Sequence, residues 1–362
     1  MIEKDSELHN GGWLPDDDAF QSAMLEGVSR TFALTIPQLP EPLFQIVSNA
    51  YLLCRMVDTI EDERALPTNE KRYFCRQFVR TVTGENRAEG FAAELGPRLS
   101  TQTAPAEHDL IRNTARVIRI THSLPPAERR AIERCIRIMA DGMGQFQLRN
   151  GTDGLQNLEE LDQYCYYVAG VVGEMLTELF CLYSPEIAGN RQALMALAAS
   201  FGQGLQMTNI FKDMWEDYER GACWLPRSTF AELGFDLKDL TTEQNRETFA
   251  RGLQQLIGVA RGHLNNALAY VFLIPKHETG IRNFCLWAIG FALLTLRKIN
   301  RHLDFTNGEQ AKISRLSVKA TIVGSRFSAQ SDRLLRLLFH LAARPLPSAS
   351  LSASRLPPHV RG

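Results

Sequence analysis

Two lines of polar side chains run through otherwise apolar sequence. Tyr51, Arg55, Asp58 and Asp62 follow one another at spacings of four, three and four residues, so on a helix they share one face, with Glu61 beside them. Gln206, Asn209, Asp213 and Asp217 repeat the design at three, four and four, with Glu216 adjacent and Met207, Ile210, Phe211 and Met214 on the opposite face. Carboxylates one turn apart repel each other on an isolated helix. A divalent cation would remove that repulsion. Oxygen-only donor sets suit hard cations, and Mg²⁺ is typically held by one or two carboxylates together with substrate phosphates and water.

Acidic residues at helical spacing also describe a plain solvated face. Each line, however, continues upstream into amide, Tyr or Arg side chains and lies in apolar sequence, where unpaired charge is costly. Together they favour a metal–diphosphate site. Other metal chemistries fail on spacing, because the chain has no calcium-loop order, no His-Glu-x-x-His and no P-loop lysine, and its eight histidines are dispersed. The fragments at Gly142/Gly144 and Gly202/Gly204 follow no predicted strand and read as helix-packing glycines.

The elements that must position these residues are helices. Apolar residues recur at three- and four-residue spacing with little alternation, which predicts an all-α chain. Helices are expected over residues 17–29, 40–60, 70–83, 107–120, 126–147, 158–182, 190–217, 246–270, 280–303 and 317–341. Gly- and Pro-bearing breaks fall at 84–106, 150–157, 234–240 and 304–309. No internal repeat or flexible linker interrupts this pattern, and the Pro- and Ser-rich residues 344–362 are expected to be a disordered tail.

The 362 residues carry a net charge of −1, so bulk electrostatics predict no nucleic-acid partner and any phosphate binding must be local. Seven scattered cysteines without a C-x-x-C pair read as reduced core residues. The acidic N-terminus, with Glu3, Asp5, Glu7 and Asp16 to Asp18, lacks the order of a secretory signal, and the most apolar stretch, 284–296, falls short of the roughly 20 residues a membrane span needs. A cytoplasmic protein without a transmembrane helix is expected.

Several blocks resemble the squalene and phytoene synthases, over about residues 28–318. Ser29-Arg30-Thr31-Phe32, Tyr51 to Arg55 and Asp58 to Asp62 are similar to the family's opening segment and first aspartate motif. Residues 164–173 resemble its central tyrosine block, and 206–217 its second aspartate motif. Asn283-Phe284-Cys285 is closer to squalene than to phytoene synthases. Lys212 stands where squalene synthases often carry Arg, and Ala288-Ile289 replaces a Pro-Gln pair common in eukaryotic members. The eukaryotic C-terminal membrane anchor is expected to be absent, and the resemblance is greatest to a bacterial squalene synthase.

The resemblance implies one catalytic domain over residues 1–343, of the isoprenoid synthase fold, with both aspartate helices lining a central cavity. It implies head-to-head condensation of two farnesyl diphosphates to presqualene diphosphate, then NADPH-dependent reduction to squalene. Mg²⁺, with Mn²⁺ as a substitute, would lie on Asp58, Glu61, Asp62, Asn209, Asp213 and Asp217. Substrate contacts would come from Ser29, Arg30, Phe32, Tyr51, Arg55, Gln206, Asn209 and Lys212, and from the wall residues Val168, Ala169, Val172, Gly173 and Leu176, with Gly173 making room for a prenyl tail. Tyr164 is the candidate for proton transfer, beside Tyr51, Arg55 and the four aspartates. Phe284, Lys312 and Arg315 are the candidates for NADPH. A lipid-like substrate and product imply transient contact with a membrane surface. Alternatives are dehydrosqualene, phytoene or presqualene diphosphate as the end product and, more distantly, a non-catalytic helical scaffold.

Overall fold

The computed structural model describes residues 14–29, 31–147, 151–240, 245–349 and 351. Among them the elements are helical, and the only extended pairing is an isolated bridge between Leu155 and Pro226. In chain order they are α1 (Asp17–Val28), α2 (Phe32–Thr35), α3 (Glu41–Asp62), α4 (Thr68–Val82), α5 (Ala88–Leu95), α6 (Pro105–Arg112), α7 (Thr114–Ser123), α8 (Pro126–Gln147) and α9 (Leu158–Cys165). After a π turn at Tyr166–Gly170 come α10 (Val171–Tyr183), α11 (Pro185–Ala188), α12 (Arg191–Glu219), α13 (Arg227–Ala231) and α14 (Arg246–Leu273). The chain continues through α15 (Thr279–Arg301), α16 (Gly308–Ala311), α17 (Arg315–Ser328) and α18 (Asp332–Ala343). They gather into two compact units, one within residues 1–148 and 175–188, the other within 149–174 and 189–362.

In the first unit α3 is the central element, packed by α1, α4, α7 and α8. Leu43, Ile46, Val47, Ala50, Leu52, Leu53, Met56, Val57 and Ile60 are all buried along it. Each large aliphatic side chain so buried contributes about 1.5–3 kcal/mol, enough to hold a polar line on the remaining face. In the second unit α12 is central, packed by α14, α15 and the π turn. Two glycines permit the closest approaches: a Cβ on Gly202 would stand 2.1 Å from the Ala169 carbonyl oxygen, and one on Gly173 would stand 2.2 Å from that of Ala198. Gly173 therefore serves backbone packing on α12, not the room for a prenyl tail expected of it.

Where the helices depart from expectation, local chemistry gives the reason. The stretch 107–120 is broken at Asn113, whose side chain donates to the Asp109 carbonyl at 2.8 Å and competes with the backbone ladder. The supposed break at 84–106 contains α5, which buries Ala88, Phe91 and Leu95 on one face. The span 317–341 is two helices, divided where Ser331 caps α18 by accepting from the Leu334 N–H.

The tail is also corrected in part. Leu346 is buried, the Leu346 and Pro347 carbonyls accept from Arg261, and the Pro345 carbonyl accepts from Asn300. Residues 344–349 thus pack on α14 and α15, held at their carbonyls by the Arg261 guanidinium and the Asn300 amide, which no apolar pattern signals. Residue 350 and residues 352–362 lie outside the described residues.

Two helical stretches, Leu158–Tyr183 and Thr279–Arg301, have the length and composition to cross a membrane. That differs from the expectation drawn from residues 284–296 alone. Thr279–Arg301 is mostly buried, as suits a core helix. All seven cysteines are free, and six are buried.

Candidate active site

In the first unit the α3 line assembles a cluster. Most buried residues on the helix are apolar, while Tyr51, Arg55 and Asp58 are half-buried and Asp62 is exposed. Phe32 lies against Tyr51 with ring centroids 5.2 Å apart, and the Ser29 hydroxyl accepts from the Phe32 N–H at 2.9 Å. Burial pushes the Tyr51 phenol up to about 12, against opposing contributions from Ser29 and Arg55, so it stays neutral. Arg30 lies outside the described residues.

Arg55 serves two carboxylates, reaching Asp58 at 3.7 Å and Glu107 more closely. Burial alone would lower its pKa, but the charges of Asp58 and Glu107 outweigh that and raise it. Asp58 itself is pushed up to about 7, first by burial and then by Asp62 and Glu107, with Arg55 opposing.

Glu63, five residues further on, behaves in the opposite way although it is more deeply buried. It accepts from the Ala65 N–H and the Ser100 N–H, both at 2.8 Å, and from the Thr103 hydroxyl at 2.6 Å. Burial raises its pKa, but these donors together lower it below the usual carboxylate range. Asp58 is thus an acid that the fold leaves under-neutralised, while Glu63 is one the fold satisfies.

In the second unit both aspartates of the α12 line stand beside a basic side chain. Lys212 stands 3.1 Å from Asp213, and Asp217, which is buried, pairs with Arg220. Burial raises the Asp213 pKa, Glu216 adds to the rise, and Lys212 opposes it. Glu216 Oε1 accepts from the Gly308 N–H at 2.7 Å, whereas its Oε2 is buried without a hydrogen-bond partner. Gln206 is half-buried and Asn209 exposed on the same helix.

Gly308 is a residue that sequence reasoning missed. A Cβ there would stand 3.0 Å from Glu216 Oε1, 3.1 Å from the Lys212 carbonyl oxygen and 3.2 Å from Asp213 Oδ1. A side chain there would make these neighbours give by a few tenths of an ångström. Glu107 and Trp224 were missed too, because each reaches its partner from a remote segment.

Tyr164 is buried, its ring stacked on Trp224 with centroids 3.9 Å apart and planes 7° from parallel. The π turn follows directly, a feature often found at functional sites. Val168, Ala169, Val172 and Leu176 form a half-exposed apolar stripe beyond it, between buried neighbours. Lys312 follows α16 and pairs with Glu309, and Arg315 opens α17 exposed to solvent. Phe284 is buried in α15, so it presents little surface to a cofactor.

Among the described residues no three His, Cys, Asp or Glu side chains converge as a ready-made metal cage. The under-neutralised Asp58 on α3 in the first unit fits a hard cation completed by substrate oxygens and water, and so, separately in the second unit, does the Glu216 oxygen beside Gly308.

A squalene/phytoene synthase family model matches residues 25–317, a span that contains both acidic lines. The chain belongs to that family. Squalene synthase from Schizosaccharomyces pombe is 31% identical over 288 residues, which are 78% of this chain and 59% of the yeast protein. The chain therefore spans about three-fifths of that relative's length. Among solved structures, the complex of TcSQS with the ligand BPH1237 superposes with a TM-score of 0.74 at 23% identity, covering 94% of this chain and 95% of that one. A dehydrosqualene synthase in complex with ligand gives 0.64 at 20% identity over 87% and 97%. These two likenesses concern the fold, which is the all-α isoprenoid synthase fold.

Proposed function

We propose that this family member is a prenyltransferase that joins two farnesyl diphosphates head to head to presqualene diphosphate and reduces that intermediate to squalene. The observation that carries the reading is the pair of acidic helices within the matched span, one of them holding a carboxylate pushed up to about 7. The names of the curated relatives, squalene synthases at 28–31% identity, support squalene as the product.

On this reading Asp58, Glu61 and Asp62 on α3, and Asn209, Asp213, Asp217 and Glu216 on α12, hold Mg²⁺ against the substrate diphosphates. Bound Mg²⁺ would neutralise the leaving diphosphate as a Lewis acid, and bound NADPH would supply the hydride that no side chain can. Arg55 and Lys212 donate charge-assisted hydrogen bonds to phosphate oxygens. Lys212 must leave Asp213 to do so, and Arg220 must release Asp217 before that carboxylate can bind a cation. Ser29, Phe32 and Tyr51 orient the first substrate, with Arg30 beside them in sequence. Val168, Ala169, Val172 and Leu176 keep water from the allylic cation. Tyr164, fixed by Trp224, moves the proton lost on cyclopropane closure. Lys312 and Arg315 suit the phosphates of NADPH, and buried Phe284 shapes the helix behind them. The protein works in the cytoplasm and touches membranes to exchange its lipid-like substrate and product.

Radiolabelled farnesyl diphosphate with Mg²⁺ alone should give presqualene diphosphate, detected as its alcohol after phosphatase treatment. Adding NADPH should divert it to squalene, read by gas chromatography–mass spectrometry. Dehydrosqualene in equal amount with and without NADPH would reject the squalene reading, and no turnover at all would reject the enzyme.

A further inference from the structure

The C-terminal helices of the second unit present a surface that the proposed chemistry does not use. On α17, Leu316, Ala320, Val323 and Phe327 follow at spacings of four, three and four, and all are exposed; Leu316 keeps 77% and Phe327 83% of its area in solvent. On α18, Leu334, Leu337, Leu338 and Leu341 follow at three, one and three, again all exposed. Scattered apolar residues on a surface are ordinary, but two exposed stripes at helical spacing on helices in contact are not.

Each stripe is flanked by cations. Lys319 and Arg326 border the one on α17, and Arg333 and Arg336 border the one on α18. The single acid on the two helices, Asp332, is occupied at its base by Arg282 at 2.5 Å and Lys276 at 3.5 Å. Arg326 lies over the Trp287 ring and Arg336 over the Phe272 ring, which holds these guanidinium groups beside the stripes. The near-zero net charge of the chain therefore conceals a basic face with apolar teeth.

We infer that this α17–α18 face docks in the plane of an anionic phospholipid bilayer, the Leu, Val and Phe side chains entering the acyl boundary and the Lys and Arg side chains meeting the headgroups. A helix with an apolar stripe and a cationic border is what such a surface binds. A second copy of the chain fits less well, since a two-fold contact through this face would set the cationic borders of two copies against each other. Both helices pack on α15, and the fully buried Arg282 reaches from α15 to Asp332, which ties the face to the rest of its unit. Docking does not depend on which prenyl product is made.

Vesicle co-sedimentation with the full chain tests this. The protein should sediment with vesicles of three parts phosphatidylcholine to one part phosphatidylglycerol, and on the order of tenfold less with phosphatidylcholine alone. Phe327→Ser with Leu337→Ser and Leu341→Ser should abolish binding while leaving circular dichroism and turnover of farnesyl diphosphate unchanged. Lys319→Ser with Arg333→Ser should remove the preference for the anionic vesicles. The inference is overturned if the wild type ignores both vesicles, if the triple variant binds as well as the wild type, or if sedimentation equilibrium shows a dimer that the triple variant splits without any vesicle binding. Since vesicle binding is read apart from turnover, failure here and failure of the proposed enzyme activity stay distinguishable.

Discussion

The two acidic helices look alike in sequence and differ in how their charge is answered. On α3, Arg55 is divided between Asp58 and Glu107, and Asp58 is pushed up to about 7. On α12, Lys212 stands at Asp213, Arg220 at Asp217 and the Gly308 N–H at Glu216. A cation arriving at α3 relieves repulsion that the fold has left in place. One arriving at α12 must first displace Lys212 from Asp213 and Arg220 from Asp217, although Glu216 Oε2 has no hydrogen-bond partner. The difference teaches that the same spacing of carboxylates can store charge on one helix and hold it balanced on another.

The largest expected effect breaks the symmetry of the two lines. Asp58→Asn and Asp213→Asn should each lower turnover with Mg²⁺ on the order of a hundredfold or more, with circular dichroism unchanged. If α3 is the under-neutralised line, magnesium titrations should show the apparent affinity falling further for Asp58→Asn. Equal falls would erase the distinction drawn here.

Gly308→Ala should have the next largest effect. The added Cβ must push on the Lys212 backbone, Glu216 and Asp213 by a few tenths of an ångström. Turnover should drop roughly tenfold, because small misplacement of positioning groups is costly, while the melting temperature hardly moves. Unchanged turnover would show that the gap beside α12 has no role in the reaction.

The smallest effect is on stability, and its sign follows from linkage. A carboxyl whose folded pKa is raised contributes stability that is fully present below its unfolded value, near 3.8, and is lost as pH rises through about 7. Metal-free Asp58→Asn should therefore be more stable than the wild type at pH 8, by about 2 kcal/mol after allowing for the partial exposure of the carboxylate. The gain should vanish towards pH 4. Asp213→Asn should gain less, because Asp213 is more exposed and has Lys212 at 3.1 Å. Melting curves at both pH values decide this, and a gain for Asp58→Asn that does not depend on pH would contradict the raised pKa.

Much of the fold, and the core of the candidate site, could be read from the residues alone, because helix periodicity is local. Three- and four-residue spacing placed Tyr51, Arg55, Asp58 and Asp62 on one face of α3, and Gln206 to Asp217 on one face of α12, before any tertiary contact was known. What tertiary structure decided was which partner meets each face. Glu107 reaches Arg55 from 52 residues away and Gly308 reaches Glu216 from 92, and no pattern within a helix turn encodes such approaches. Gly173 showed the same limit: a glycine in sequence announces missing volume, but only the packing of α12 revealed that a carbonyl fills it. The stripes of α17 and α18 show it most clearly. Their apolar spacing predicts helices with a face to bury, yet whether a neighbour covers that face depends on where the rest of the chain has gone, and here it is left to solvent.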